Sequence, residues 1–514
     1  MGAGVTDRRI VRHLAPTGVG HASALTRRPR AVVVGGGIAG LAAATGLAER
    51  GVAVEVLERE PWLGGRVASW EESLPCGTPV SMSRGFHAFF RQYYNLRALL
   101  RRTDPGLDRL AEIADYPLQD AHGRTDTFRG LPRTPPWNAL AFALRSPTFR
   151  PRDLIRLNVR AAAPLAAVSV PDTYERLDHV DAETFLHRIN FPPAARHLAF
   201  DVFSRSFFAP PSRLSAAELA TMFHLYFLGS AEGLIFDAPT DDFQTSLWGP
   251  LADYLTGLGA TLRTGDPVHG LERTPQGYVV HHDAGSIEAD AVVLATDVDG
   301  LRGIVHASRG LDDPRWRAEV DSLRAAPPFL VWRCWLDRPV AAHRPAFLAT
   351  GGLDPLDNIS VLERYESQSA RWAREHGGSV VELHAYAASE DDDVDALCAR
   401  LLRRLHETYP ETAEADLLGD SVQWRADCPL FGVDSFASRP RVRTPFPGLV
   451  LAGDGIRIDL PVALMERAAS TGLHAANCLL AQWGLAGHEL RSVPTEGRSA
   501  VLRGLAGIGK GGVP

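Results

Sequence analysis

Ala31-Val32-Val33-Val34-Gly35-Gly36-Gly37-Ile38-Ala39-Gly40 is the stretch that decides the fold. Four apolar residues in a row, three of them valine, mark a buried parallel strand. Gly35, Gly37 and Gly40 follow at once in G-x-G-x-x-G spacing. The first permits a tight turn, the second lets a pyrophosphate approach the backbone, and the third lets the next helix pack closely on the strand. That helix begins near Ile38 and runs to Arg50, so the amides around Ile38 and Ala39 and the helix dipole face the phosphates. Gly51 ends it, Val52 to Leu57 is a second strand, and Glu58 stands at that strand's end, where a carboxylate accepts hydrogen bonds from ribose hydroxyls. Strand, glycines, helix, strand and acid in this order predict a Rossmann-like α/β nucleotide-binding fold.

Two further features select FAD over NAD. Gly64-Gly65-Arg66 follows Glu58 closely, offering a second close backbone approach and a cation for phosphate. Far along the chain, Leu451-Ala452-Gly453-Asp454-Gly455 repeats the strand, turn and helix order. Asp454 there can accept a ribityl hydroxyl, and the helix that follows brings its dipole near a flavin ring.

The rest of the 514-residue chain reads as α+β insertions in that domain. Residues 30–115, 243–300 and 441–485 read as a discontinuous FAD domain, and 116–242 with 301–440 as a substrate and membrane-docking domain. Residues 1–29 lack the apolar run of a signal peptide and read as a disordered leader, and 486–514 as a loose tail. Helical periodicity runs from Asp153 to Ala167, from Ala194 to Phe208 and from Phe243 to Gly259. Tyr278 to His282, Ala291 to Thr296 and Val380 to Ala387 read as strands, and Val394 to Glu407 as a charged helix.

The formal net charge of -7 argues against a nucleic-acid partner. Lys510 is the sole lysine. The five cysteines are scattered without C-x-x-C spacing, which argues against a disulfide framework or a metal site and suits a reducing, cytoplasmic compartment. No run of some 18 apolar residues is present, so no helix is expected to span a membrane.

With the dinucleotide motif, the run E-R-x-x-x-x-G-G-R carried by Glu58, Arg59, Gly64, Gly65 and Arg66, the strand Val292 to Thr296 and the turn at Gly453-Asp454, the chain resembles the FAD-dependent amine oxidase and carotenoid desaturase superfamily. The resemblance covers residues 31 to about 484 and implies that Val268 contacts the adenine side. The segment Arg84-Gly85-Phe86-His87-Ala88-Phe89-Phe90-Arg91-Gln92-Tyr93-Tyr94-Asn95 looks most like the ring aromatases, the isorenieratene-synthase-like β-carotene desaturase/methyltransferases. It implies that His87 lies beside the isoalloxazine ring. The implied reaction removes hydride from a β-ionone ring, shifts a methyl group to the neighbouring carbon, releases a proton and oxidises once more to a trimethylphenyl ring. Such a site should be dry and lined by π-faces and a few carboxylates. Asp237 is the leading carboxylate, with Glu232, Asp459 and Glu466 as others.

Other enzyme readings are an acyclic carotene desaturase and a polyamine or porphyrinogen oxidase. The non-enzyme reading is a prenyl-binding carrier of the GDP-dissociation-inhibitor type. Quinone and oxygen both remain open as electron acceptor. A carotenoid is nearly pure hydrocarbon, and at about 0.8 kcal/mol per CH₂ its passage through water would cost on the order of 20 kcal/mol. The substrate is therefore expected to come from a membrane, with docking at the inner face of the cell membrane through residues 129–171. There Arg129, Arg133, Arg145, Arg150, Arg152, Arg156 and Arg160 interleave with Trp137, Leu140, Phe142, Leu144, Phe149, Leu154, Ile155 and Leu157.

Overall fold

Arg30–Val34 is the centre of a five-stranded parallel sheet. The computed structural model of the protein describes residues 7–149, 155–195 and 207–495. The sheet order is Thr261–Arg263, Ala53–Leu57, Arg30–Val34, Ala291–Leu294 and Leu449–Leu451, so its strands come from three distant stretches of chain. Val32, Val33, Val56, Val292, Val293 and Leu451 are wholly buried, as strands covered on both faces require. Helix Ile38–Ala48 packs on helix Leu464–Gln482 across small residues. A Cβ on Gly472 would stand 2.2 Å from the Ala39 carbonyl oxygen, which sets how closely the two axes approach.

The second large sheet has seven strands, in the order Leu417–Arg425, Phe329–Leu336, Ser379–Ala385, Asn358–Val361, Phe347–Gly351, Leu118–Asp120 and Thr125–Asp126. Alternation divides its faces. Trp332, Cys334, Val381, Leu383 and Ala385 pack with Leu397, Leu401 and Leu405 of helix Val394–Thr408. Val331, Arg333, Glu382 and His384 fall on the opposite face, toward the nucleotide domain. A small antiparallel sheet of Phe89–Phe90, Phe236–Pro239 and Leu110–Glu112 closes the space between the two.

Buried ionic groups fasten the halves. Glu218, on helix Ala216–Phe223, accepts from Arg439 at 2.5 Å and from Arg467 of the long helix at 2.7 Å. Breaking such a pair by removing one partner leaves an uncompensated buried charge. Glu466 accepts from the backbone N–H groups of Asn95 at 2.8 Å and Leu96 at 2.9 Å.

Both chain ends depart from the expectation. Val11–His13, within the stretch read as a disordered leader, pairs antiparallel with Leu490–Ser492, within the stretch read as a loose tail. His13 Nε2 meets Ser492 Oγ at 2.9 Å. His488 is buried: its backbone N–H donates to Asn477 Oδ1 at 2.7 Å and its Nε2 to the Gly46 carbonyl at 2.8 Å. Backbone pairing and these polar anchors, rather than apolar periodicity, hold residues 7–29 and 486–495 in place. Residues 1–6 and 496–514 lie outside the described residues.

Within the periodic stretch Asp153 to Ala167 the helix Val159–Ala166 forms, after a break at residues 156–158, and Asp153 and Leu154 lie outside the described residues. Most of the predicted helix Ala194 to Phe208 also lies outside them. The predicted helix Phe243 to Gly259 opens as a π-helical turn, Gln244–Trp248, before the α-helix Gly249–Gly257. Among the described residues no helix is long and apolar enough to cross a membrane.

Candidate active site

One large cavity, about 840 Å³, runs from the glycine cluster into the space between the two large sheets. Gly35, Gly37, Ile38, Ala39, Glu58, Arg59, Gly64, Gly65, Arg66, Val268, Gly453 and Asp454 all line it, and so does His87. Gly35 has φ +106° and its Cβ would stand 2.5 Å from the Ala295 carbonyl oxygen, so the turn admits only glycine. Gly40 lies behind the cavity rather than on it. A Cβ there would stand 1.9 Å from the Gly35 oxygen, so its part is to let the helix close on the loop. Gly64 bridges to the first loop, its N–H donating to the Gly36 carbonyl at 2.9 Å. A Cβ on Gly37 would meet only Gly65 Cα at 3.8 Å and Gly64 O at 4.0 Å. The two glycine segments thus form one cradle with backbone walls.

Glu58 sits at the lip. One carboxylate oxygen accepts the Gly36 N–H at 2.6 Å and the other the Glu60 N–H at 2.9 Å. Burial pushes its carboxyl up against those bonds. Arg59 donates to Asp297 at 2.7 Å, and Asp297 caps helix Val298–Ala307 through the Gly300 N–H. Val268 opens the strand that follows Asp266, beside the cradle. Arg66 pairs with Asp454, so its charge is matched by the flavin-turn carboxylate and phosphate is left to the loop amides and the helix end. Gly453 has φ +143° and its N–H donates to Thr471 Oγ1 at 3.0 Å, which ties the turn to the long helix. A cradle that side chains would fill, a carboxylate at the ribose position and a helix N-terminus behind the loop together fit FAD.

Beyond the cradle the walls become aromatic. Phe86, Phe90, Tyr93, Tyr116, Phe128 and Phe236 line this half together with Tyr226. Phe90 meets Tyr226 at 4.6 Å and Phe236 at 5.2 Å between centroids, and Tyr116 stacks on Phe128 at 4.4 Å. His87 Nδ1–H donates to the Gly85 carbonyl at 2.8 Å, leaving Nε2 as the acceptor atom. Burial pushes its pKa down to about 4, so it is neutral at physiological pH. Arg84 is matched by Asp427 at 2.7 Å.

Asp237 does not belong to this site. Its carboxylate is held by Arg97 at 2.6 Å and Arg91 at 3.0 Å, away from the cavity wall, so its charge is already neutralised. Glu232 and Glu466 are likewise buried elsewhere, and Asp459 pairs with Arg441 and Arg457. A carboxylate that does line the cavity on the seven-stranded sheet is Asp357, beside Asn358, His384 and Tyr386. Sequence reading missed all four. The one local sign is that Glu382, His384 and Tyr386 recur at every second position of an otherwise apolar strand.

Residues 38–480 match the family described as flavin containing amine oxidoreductase. The chain is 56% identical over 496 residues to a carotenoid phi-ring synthase of Streptomyces griseus, covering 96% of each. It is 26% identical to a carotenoid phi-ring synthase of Chlorobaculum tepidum, over 93% of this chain and 92% of that one. A redesigned putrescine oxidase shares the fold with a TM-score of 0.65 at 15% identity, over 88% of this chain and 99% of that one.

Proposed function

We propose that this chain, which belongs to the flavin containing amine oxidoreductase family, is an FAD-dependent carotenoid oxidoreductase that aromatises a β-ionone end ring with migration of a methyl group. The observation that carries this reading is the junction of the FAD cradle with a chamber walled by aromatic rings, in a chain so similar to a carotenoid phi-ring synthase. When bound, the flavin supplies the acceptor for hydride. The protein supplies the rest. The two glycine loops and Glu58 fix the nucleotide, and Asp454 and Asp427 match the charges of Arg66 and Arg84, two of the arginines in the wall, which lessens their repulsion of a ring carbocation. Phe86, Phe90, Tyr116 and Phe236 offer π-faces to that cation and exclude water that would trap it. His87, neutral and anchored through Gly85, keeps a basic nitrogen at the junction.

Substrate loading belongs to helix Trp137–Arg145. Trp137, Leu140 and Leu144 are 60%, 46% and 67% exposed, and Ile155 is 85% exposed nearby in sequence. Arg133, Arg145, Arg156 and Arg160 are exposed too. Arg150, Arg152 and Leu154 lie outside the described residues. Such a face suits an anionic membrane surface at the inner side of the cell membrane. The opposite face of the helix reaches the chamber: buried Phe142 stacks at 4.9 Å on Phe128, which lines it. The docking helix thus packs against the chamber wall, the side from which a carotenoid drawn from the bilayer would enter, and a membrane quinone is the electron acceptor that suits the same surface.

Expression in a β-carotene-producing host tests the assignment. The expected pigment retains every carbon of β-carotene, is lighter by two hydrogen molecules per modified ring and shows aromatic-ring proton resonances. Unchanged β-carotene, or new double bonds only in an acyclic precursor, would overturn ring aromatisation and favour an acyclic carotene desaturase.

A further inference from the structure

We propose that Glu382, His384 and Tyr386 form a proton relay ending at the substrate chamber, with Tyr386 as the group that takes the ring proton of the carbocation. The inference rests on the ring-aromatisation reading above and assigns its deprotonation step to a residue other than His87.

The three side chains fall on one face of strand Ser379–Ala385 and its continuation, between residues that pack into the apolar core on the other face. Burying polar groups there is costly unless each is bonded. The bonds form a single directed line. Arg333, directly opposite Glu382 in the register, donates to Glu382 Oε2 from Nε at 3.0 Å and from Nη2 at 2.7 Å. Arginine can only donate, so Glu382 accepts. Burial alone would raise the Glu382 carboxyl, but Arg333 outweighs it and keeps the group ionised. Glu382 Oε1 then accepts from His384 Nε2 at 2.8 Å, so Nε2 carries the proton. His384 Nδ1 must in turn accept, and it faces the Tyr386 hydroxyl at 2.5 Å. Asn358 Nδ2, on the neighbouring strand, donates to the Tyr386 oxygen at 2.9 Å. A carboxylate orienting an imidazole that accepts from a hydroxyl is the arrangement that makes the hydroxyl a proton acceptor.

Position separates this from a merely structural network. Glu382 and Arg333 are enclosed in protein, whereas His384 and Tyr386 face the chamber. Phe86, Phe236 and Phe347 line the same chamber, and Arg84 there is matched by Asp427. After hydride loss and methyl shift the ring is an electrophilic cation that must lose a proton. The ring C–H bond breaks and its electron pair becomes the ring C=C bond. The proton joins the Tyr386 oxygen while the hydroxyl's own proton passes to His384 Nδ1, and Glu382 holds the resulting imidazolium. The two electrons of the oxidation have already left with the hydride, so this step needs no further oxidant. His384 and Glu382 act as positioning residues and Tyr386 as the catalytic one.

Tyr386→Phe in the flavin-loaded protein, given β-carotene in vesicles, tests the relay. General-base catalysis is worth about 100-fold or more. We expect aromatic product to fall by about that factor while single-turnover bleaching of the flavin stays within about threefold of wild type and dehydrogenated, non-aromatic rings accumulate. A positional support for the chamber wall would not divide the two readouts in this way. Should Tyr386→Phe fail to retain flavin, His384→Asn is judged by the same division. Aromatic product within about threefold of wild type, or the division appearing in His87→Ala instead, overturns the relay while ring aromatisation stands. A wild-type protein that modifies no ring overturns both.

Discussion

Alanine at Gly37 and alanine at Gly40 should separate holding the flavin from holding the loop. A Cβ on Gly40 would stand 1.9 Å from the Gly35 carbonyl oxygen and 3.0 Å from its carbon, backbone atoms that cannot swing aside. The loop and helix Ile38–Ala48 must then separate by roughly 1.5 Å to restore ordinary contact. Overpacking of this kind costs about 1–3 kcal/mol, and the better helix propensity of alanine returns up to ~1 kcal/mol. The Gly40→Ala apoprotein should therefore lose about 1–2 kcal/mol and also bind FAD weakly. Gly37 differs. Its φ of -78° suits any residue, and its Cβ meets nothing closer than 3.8 Å. The Gly37→Ala apoprotein should keep its stability within about 0.5 kcal/mol. Its methyl group, however, stands in the cradle between the two glycine segments. Two amide-to-phosphate bonds at about 1.5–3 kcal/mol each would lengthen, and losing about 3 kcal/mol raises the FAD Kd roughly 100-fold. Fluorescence titration of the apoproteins with FAD, alongside their thermal unfolding, measures both quantities. If Gly37→Ala binds FAD within about threefold of wild type, the cradle has been wrongly placed.

Asp454→Ala should leave Arg66 without its partner. The Arg66 side chain is 31% exposed, so the loss is discounted for solvent to about 1–2 kcal/mol, read from the denaturation midpoint, with a parallel fall in flavin content. The triple change Trp137→Ser, Leu140→Ser and Leu144→Ser should weaken sedimentation with phosphatidylglycerol vesicles by about 100-fold, at roughly 1 kcal/mol per inserted side chain, without lowering the melting temperature. Undiminished sedimentation would exclude that helix as the docking face. His224 is fully buried with Nε2 donating to the Pro494 carbonyl at 2.8 Å, and burial pushes its pKa down to about 4 from an unfolded value of 6.5. A depressed histidine adds stability that is present above pH 6.5 and lost as pH falls through 4. Between pH 7 and pH 4, wild type should lose about 3 kcal/mol more than His224→Gln, measured by urea unfolding.

The nucleotide half was legible because its signals are local. From Gly35 to Glu58 each residue's part follows from neighbours within one strand–helix–strand unit, and Gly64 to Arg66 follows immediately. The substrate half was not, because its wall is assembled by strand register. Asn358 faces His384 only through the pairing of two strands, and Arg333 reaches Glu382 in the same way. Asp237 shows the converse error. As an acid beside Phe236 it reads as a candidate for the cation site, but Arg91 and Arg97, which neutralise it, are about 140 residues earlier in the chain. The clasp of the termini was illegible for a third reason. Val11–His13 is half in water and carries no apolar alternation, so nothing in its composition announces a strand.

That clasp also bears on biosynthesis. Val11 leaves the ribosome about 480 residues before Ser492, and at roughly 5–20 residues per second the first strand waits on the order of half a minute for its partner. The parallel sheet is under the same schedule, since its last strand, Leu449–Leu451, and helix Leu464–Gln482, which packs on Ile38–Ala48, arrive near the end of translation. The early βαβ unit therefore has both sheet edges bare until Thr261–Arg263 and Ala291–Leu294 emerge, the edge of Ala291–Leu294 then stays bare until Leu449–Leu451 arrives, and a C-terminal truncation before Ser492 should show first as a defect of maturation rather than of chemistry.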